Sequence, residues 1–123
     1  MAREDILVVD DTPTNLRLVE YILQHAGYPV RTATNASEAL AAIAAARPRI
    51  ILVDVQMPGT SGLELTHQLK TDPATRDIII IAVTAYAMKG DDAKASDAGC
   101  DEYVTKPIDK RALRHMIARY FPR

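Results

Sequence analysis

The chain alternates short, nearly continuous apolar runs with longer segments whose apolar residues recur every three or four positions. Runs such as ILVV, IILV and IIIIAV are typical of strands that a parallel sheet buries on both faces. Two weaker runs predict further strands, and Pro29 suits an edge strand or a strand start in the first of them. The predicted strands are 5–10, 28–33, 50–54, 77–83 and 101–105.

The segments between these runs carry the start and stop signals of helices. Thr12 and Pro13 suit an N-cap and a first helical residue, and Gly27 suits the C-terminal stop of the same helix. The pairs Asn35–Glu38 and Ser61–Glu64 match capping boxes. The predicted helices are 13–26, 36–46, 61–70, 86–98 and 109–121.

A strand followed by a helix, repeated five times, predicts an α/β fold with helices on both faces of a parallel sheet. Right-handed crossovers, three strongly apolar strands and a weak second strand favour the doubly wound, flavodoxin-like (βα)5 fold with strand order 2-1-3-4-5. The sequence shows no linker and no internal repeat, so we expect one domain over residues 1–123.

Composition and charge exclude several classes of protein. The 123 residues carry 15 basic and 16 acidic side chains without a basic stripe, which argues against a nucleic-acid partner. No apolar run is long enough to span a membrane, and the first residues do not form a signal peptide. Cys100 is the single cysteine, so no internal disulfide can form. These features favour a cytoplasmic protein without a membrane partner.

Reactive side chains stand at the ends of four predicted strands. Asp10 and Asp11 follow the first strand, Asp54 ends the third, Thr84 follows the fourth, and Lys106 follows the fifth. In an open parallel sheet these ends meet at one edge, where ligands bind. A lone Asp in such a position often caps a helix, and Asp10 is placed to do so. Three converging carboxylates, however, favour a cation, and their oxygens suit Mg²⁺.

This set of residues indicates phosphoryl-transfer chemistry. A carboxylate such as Asp54 can act as a nucleophile and form an aspartyl phosphate. Mg²⁺ and Lys106 would neutralise charge on the transferring group, and the Thr84 hydroxyl would donate a hydrogen bond to it.

The sequence resembles the response-regulator receiver domains of the CheY-like family from about Asp5 to Phe121. The resemblance rests on Asp10-Asp11 after ILVV, Asp54 in ILVDVQMPGTSGLEL, Thr84-Ala85 after IIIIAV and Lys106-Pro107 in DEYVTKPI. It implies a two-component phosphorelay protein rather than an enzyme. Its phosphoryl donor would be a histidine kinase, a phosphotransfer domain or a small acyl phosphate.

The resemblance also assigns roles at the predicted site. Asp54 matches the phosphoacceptor. Asp10, Asp11 and Asp54, with the backbone carbonyl of Gln56, match the Mg²⁺ site. Lys106 matches the phosphate-binding lysine.

A second group of positions matches the switch of the family. Thr84 matches the switch hydroxyl and Tyr103 the aromatic residue coupled to it. Phosphorylation would then shift the helix predicted at 86–98, and a downstream protein would bind the surface that this helix forms with the fifth strand and the last helix. Gln56 and Tyr86 match positions that tune dephosphorylation, and the bulk of Tyr86 predicts a long-lived phosphoryl group.

Three other interpretations stay open. The chain can be a receiver domain cut from a hybrid histidine kinase or a longer regulator, although Met1 favours a stand-alone protein. A Mg²⁺-dependent aspartyl-phosphate phosphatase of the haloacid-dehalogenase type would use similar groups, but its Asp-x-Asp motif is not matched by Asp10-Asp11-Thr12-Pro13. A flavodoxin would share the fold, but its FMN phosphate would meet an acidic loop here.

Overall fold

The computed structural model describes residues 5–55, 62–84, 99–105 and 109–120. Within these ranges the strands are β1 (Ile6–Val9), β2 (Val30–Ala33), β3 (Ile50–Asp54), β4 (Ile79–Thr84) and β5 (Glu102–Thr105). The helices are α1 (Pro13–His25), α2 (Ala36–Ala45), α3 (Gly62–Thr71) and α4 (Lys110–Ala118). The helix predicted at 86–98 lies outside the described residues.

The five strands form one parallel sheet in the order β2-β1-β3-β4-β5, which confirms the predicted flavodoxin-like topology. Its two faces bury separate clusters, because side chains alternate along a strand. In β1, Ile6 and Val8 pack with residues of α1 and α4, whereas Leu7 and Val9 pack with residues of α2 and α3. Across the described ranges, no helix is long and apolar enough to cross a membrane.

The ends of α1 are set by local backbone contacts. Thr12 occupies the N-cap position as predicted, but its side chain makes no capping hydrogen bond. Its N–H instead donates to Asp10 Oδ1 at 2.9 Å. At the other end Gly27 has a φ of 95°, a left-handed conformation that favours glycine, and the Tyr28 N–H reaches back to the Leu23 carbonyl.

The predicted capping box of α2 is confirmed in one direction. The Glu38 N–H donates to Asn35 Oδ1 at 2.8 Å. The returning Glu38 carboxylate accepts from the hydroxyl and the N–H of Thr34 rather than from Asn35. These two hydrogen bonds lower the pKa of Glu38.

A buried ion pair ties the start of β1 to β2 and α2. Arg31 Nε donates to Asp5 Oδ2 at 2.5 Å, and the Asp5 side chain is only 3% exposed. The other guanidinium nitrogens of Arg31 donate to the carbonyls of Ala42 and Ala46 at the C-terminal end of α2. Arg31 therefore holds three segments together at the edge of the sheet remote from the strand C-termini.

The last helix is capped at its N-terminus and is linked to the sheet just beyond its C-terminus. Asp109 caps its N-terminus by accepting from the N–H groups of Arg111 and Ala112. Tyr120, just beyond its C-terminus, donates its hydroxyl to Glu102 Oε2 of β5 at 2.5 Å. Arg49 donates to the Tyr120 carbonyl, also at 2.5 Å. The helix ends at Ala118 rather than near the predicted residue 121.

Candidate metal centre

The acidic residues predicted to converge do converge. Asp54 is the last residue of β3, and Asp10 follows β1 directly. One ligand oxygen from each of Asp10, Asp11 and Asp54 lies within 4.8 Å of the other two. Asp10 and Asp54 are buried, whereas Asp11 is exposed. The acidic cluster is therefore largely buried and is exposed to solvent at Asp11.

The loop after β1 fixes the direction of the Asp10 side chain. The Asp10 N–H donates to the Ala33 carbonyl at the end of β2. One carboxylate oxygen of Asp10 accepts the Thr12 N–H, which forms a tight turn before Pro13 opens α1. Asp10 was also a candidate for capping the first helix. In the structure its side chain stabilises the turn that leads into α1, and Thr12 occupies the N-cap position.

Gly62 brings α3 against the backbone of Asp54. A Cβ at this position would lie 2.8 Å from the carbonyl carbon of Asp54, closer than real Cβ contacts allow. The Gly62 N–H also donates to the Val55 carbonyl at 3.3 Å, while the Val55 N–H donates to the Val83 carbonyl of β4. The role of Gly62 was not predicted from the sequence, although a glycine beside the predicted start of a helix is a signal of close backbone approach.

The donor set fits a divalent cation with a preference for oxygen. Carboxylates are acceptor-only groups when ionised, and three of them at this separation repel one another. Mg²⁺ accepts one or two carboxylates and retains several waters. Among the described residues, Asp10, Asp11 and Asp54 are the only group of three acidic, histidine or cysteine side chains placed to hold a metal ion.

Two further predicted residues lie on strands close to the centre. Thr84 ends β4, one residue beyond Val83, which pairs with Asp54. The structure describes the backbone of Thr84 but not its side chain. Tyr103 of β5 is half-buried and pairs with Ala82. Because Val104 packs in the cluster under α1 and α4, Tyr103 points to the opposite face of the sheet.

Three predicted residues, Gln56, Tyr86 and Lys106, lie outside the described residues. The backbone carbonyl assigned to the metal, the dephosphorylation positions and the phosphate-binding lysine therefore remain predictions.

The family model for the response regulator receiver domain matches residues 6–118. The chain belongs to the response regulator receiver domain family.

Individual relatives agree with this assignment. The polar-differentiation response regulator DivK of Brucella anthropi is 41% identical over 117 residues, which cover 95% of each chain. The TrrA response regulator of Thermotoga maritima, solved in complex with Mg²⁺-BeF, is 34% identical with a TM-score of 0.84, covering 96% of this chain and 99% of that one. A receiver domain of a histidine kinase from Syntrophus aciditrophicus is 31% identical with a TM-score of 0.88, covering 96% and 89%.

The fold, the acidic centre and these relatives together define a two-component response regulator receiver domain. It is a phosphoacceptor rather than an enzyme. Membership of this family excludes the phosphatase and flavodoxin interpretations. Its acidic triad is typical of the receiver Mg²⁺ site, and its class implies a histidine kinase as partner.

Proposed function

We propose that Asp54 is the residue that accepts the phosphoryl group in a phosphorelay, from a histidine kinase or a phosphotransfer domain. The supporting observation is the convergence of Asp10, Asp11 and Asp54 within 4.8 Å in a chain of the receiver family. Asp10 has one oxygen engaged by the Thr12 N–H, and Asp11 lies in the exposed turn. Asp54 ends β3, which pairs with β1 and β4, and is held by the close approach of Gly62.

The proposed transfer is a nucleophilic displacement at phosphorus. An Asp54 carboxylate oxygen forms the new P–O bond as the P–N bond of the donor phosphohistidine breaks, and the leaving imidazole takes up a proton. Asp10, Asp11, Asp54 and the Gln56 carbonyl would hold Mg²⁺, which when bound supplies positive charge next to the phosphoryl oxygens. Lys106 would contribute an ammonium group and Thr84 a hydroxyl donor.

The proposed output is a change in one face of the domain. An aspartyl phosphate adds about −1.5 to −2 charge and three acceptor oxygens at the end of β3. Thr84 would turn towards these oxygens, Tyr103 would follow, and the segment 86–98 would shift against β5 and α4. A downstream protein would bind this face more tightly in the phosphorylated state, since ligands shift equilibria that already exist.

Domain organisation and location stay predictions from the sequence. We propose a single receiver domain over residues 1–123 in the cytoplasm. The DivK relatives support a stand-alone regulator, and the histidine-kinase receiver domain supports the alternative of a domain from a hybrid kinase.

The proposal is tested by intact-mass time courses with acetyl phosphate, with and without Mg²⁺. We expect the mass of one phosphoryl group on the wild type in Mg²⁺, and on the matched control Asp77→Asn, whose exposed side chain precedes β4. Asp54→Asn should stay unmodified. Equal modification of Asp54→Asn and the wild type would contradict the assignment of the phosphoacceptor.

A further inference from the structure

A basic groove lies between the C-terminal end of α1 and the exposed flank of α4. It is open to solvent and has a volume of about 410 Å³. It is lined by Tyr28, Lys110, Arg111, Arg114 and His115, with Ala26 and Ala118 as its small residues. None of the three aspartates of the acidic centre lines it. The groove is therefore separate from the acidic centre.

The charge of the groove is strongly one-sided. Lys110, Arg111 and Arg114 have basic side chains, and none of the described residues that line the cavity is acidic. None of these three forms an ion pair with a residue in the part of the chain that the structure describes. The whole chain has a net charge of −1, so this local excess is not a general property of its surface.

The groove occupies only one flank of α4. Residues 110, 111, 114, 115 and 118 follow helical spacing on the side towards α1. Arg119 lies on the other flank, where its guanidinium stands 3.6 Å from Glu102 of β5. A ligand in the groove would therefore leave the proposed output face beside β5 uncovered.

We propose that the basic groove binds a phosphorylated small molecule with several negative charges, of about the size of a nucleoside triphosphate. Its volume falls within the range of small-molecule sites, about 300–1,000 Å³. Guanidinium groups bind phosphate oxygens in a two-pronged geometry, and an ammonium group adds a point charge. Tyr28 and His115 offer rings against a flat group, and Ala26 and Ala118 leave room for it.

The test is calorimetric titration of the full chain with ATP and, separately, with inorganic tripolyphosphate. Divalent cations are removed from protein and buffers with a chelating resin, so that the acidic centre holds no Mg²⁺ and repels both anions. We expect saturable binding that weakens with added salt. Arg114→Gln should weaken binding about tenfold or more, as expected for losing a charge-assisted hydrogen bond. The matched control Arg119→Gln, on the other flank of the same helix, should bind like the wild type.

The two probes separate the sources of affinity. Tighter binding of ATP than of tripolyphosphate supports a nucleotide ligand, and equal binding supports recognition of the phosphates alone. Absence of saturable binding for both probes would overturn the proposal, and so would an equal loss in Arg114→Gln and Arg119→Gln. Binding of an acidic peptide without binding of either phosphate compound would assign the groove to a protein partner instead. All these results are independent of phosphorylation at Asp54.

Discussion

Asp10 and Asp54 stand side by side because β1 and β3 pair in parallel register, with Val9 opposite Val53. The next residue of each strand is an aspartate, so the sheet itself brings the two carboxylates together. Both are buried, at 5% and 4% exposure, and Asp11 completes the cluster from the exposed turn. The fold thus keeps three carboxylates close together, where they can bind a cation.

Removing one of these charges should stabilise the protein in the absence of metal. Asp11→Asn relieves repulsion between like charges, so we expect the free energy of unfolding in EDTA to rise by about 1 kcal/mol. Mg²⁺ should stabilise the folded wild type by binding to it. Because Asp11→Asn removes one proposed ligand, Mg²⁺ should stabilise this variant less.

Urea denaturation with EDTA and with Mg²⁺ measures both effects. Asp77→Asn, at an exposed site outside the cluster, is the control and should change neither. If Mg²⁺ stabilised Asp11→Asn as much as the wild type, Asp11 would have no part in the metal site.

Gly62→Ala should damage the acidic centre through the backbone. The added methyl group would collide with the carbonyl of Asp54, so α3 or the end of β3 must move. We expect a loss of about 1–3 kcal/mol in the free energy of unfolding and much slower modification by acetyl phosphate. Gly27→Ala is the matched control, because its left-handed φ of 95° also costs stability but nothing lies within 4 Å of the new Cβ. Equal phosphorylation rates in the two variants would refute a positioning role for Gly62.

Arg31→Met should be among the more destabilising changes. It leaves the buried Asp5 carboxylate without its ion-pair partner and two carbonyls of α2 without their donor, at an expected cost of about 3–5 kcal/mol. The double variant Asp5→Leu/Arg31→Met should recover much of this loss, because no buried charge remains. Thermal unfolding of the single and double variants measures both effects. A double variant as unstable as Arg31→Met would show that the unpaired Asp5 carboxylate is not the cause of the loss.

Tyr120→Phe tests the link between α4 and β5. Loss of the hydrogen bond to Glu102 should lower the free energy of unfolding by about 1 kcal/mol at neutral pH. That hydrogen bond raises the pKa of Tyr120 to about 12, above the value of about 10 expected in the unfolded chain. Because the pKa of Tyr120 is raised in the folded state, the contribution of this hydrogen bond to stability is complete below about pH 10. It is lost as the pH rises through about 12.

The difference in stability between the wild type and Tyr120→Phe should therefore narrow from about pH 10 to pH 12. Tyr21→Phe, at a tyrosine that is 61% exposed on α1, is the control. A difference that stayed constant over this range would argue against the hydrogen bond as its cause.

Tyr86 lies outside the described residues, and its role is predicted from the sequence. Its bulk should shield the acyl phosphate from water, so Tyr86→Glu should lose the phosphoryl group several-fold faster. Tyr86→Phe, which keeps the bulk, should decay like the wild type. Decay of the intact-mass signal after removal of acetyl phosphate measures both rates. Equal lifetimes for the Glu and Phe variants would show that residue 86 does not shield the phosphate.

The sequence predicted the sheet and the acidic centre because their signals are local. Continuous apolar runs identify buried strands, and the polar residues that end them must meet at one edge of a parallel sheet. The proximity of Asp10, Asp11 and Asp54 could therefore be predicted from the sequence alone. The same reasoning placed Asn35 and Gly27 correctly at helix ends.

Contacts between distant segments could not be predicted in this way. Arg31 and Asp5 are 26 residues apart, and Tyr120 and Glu102 are 18 apart, so no periodic pattern connects them. The close approach of Gly62 to Asp54 likewise depends on how α3 packs on the sheet.

The most direct measurement is to map the modified residue. The protein is treated with acetyl phosphate and Mg²⁺, then with borohydride, whose hydride reduces an aspartyl phosphate to homoserine and releases phosphate. Peptide mass spectrometry then locates the homoserine. We expect homoserine at position 54 alone, and only in the sample that contained Mg²⁺. Homoserine at position 10 or 11, with residue 54 unchanged, would contradict the assignment of Asp54 as the phosphoacceptor.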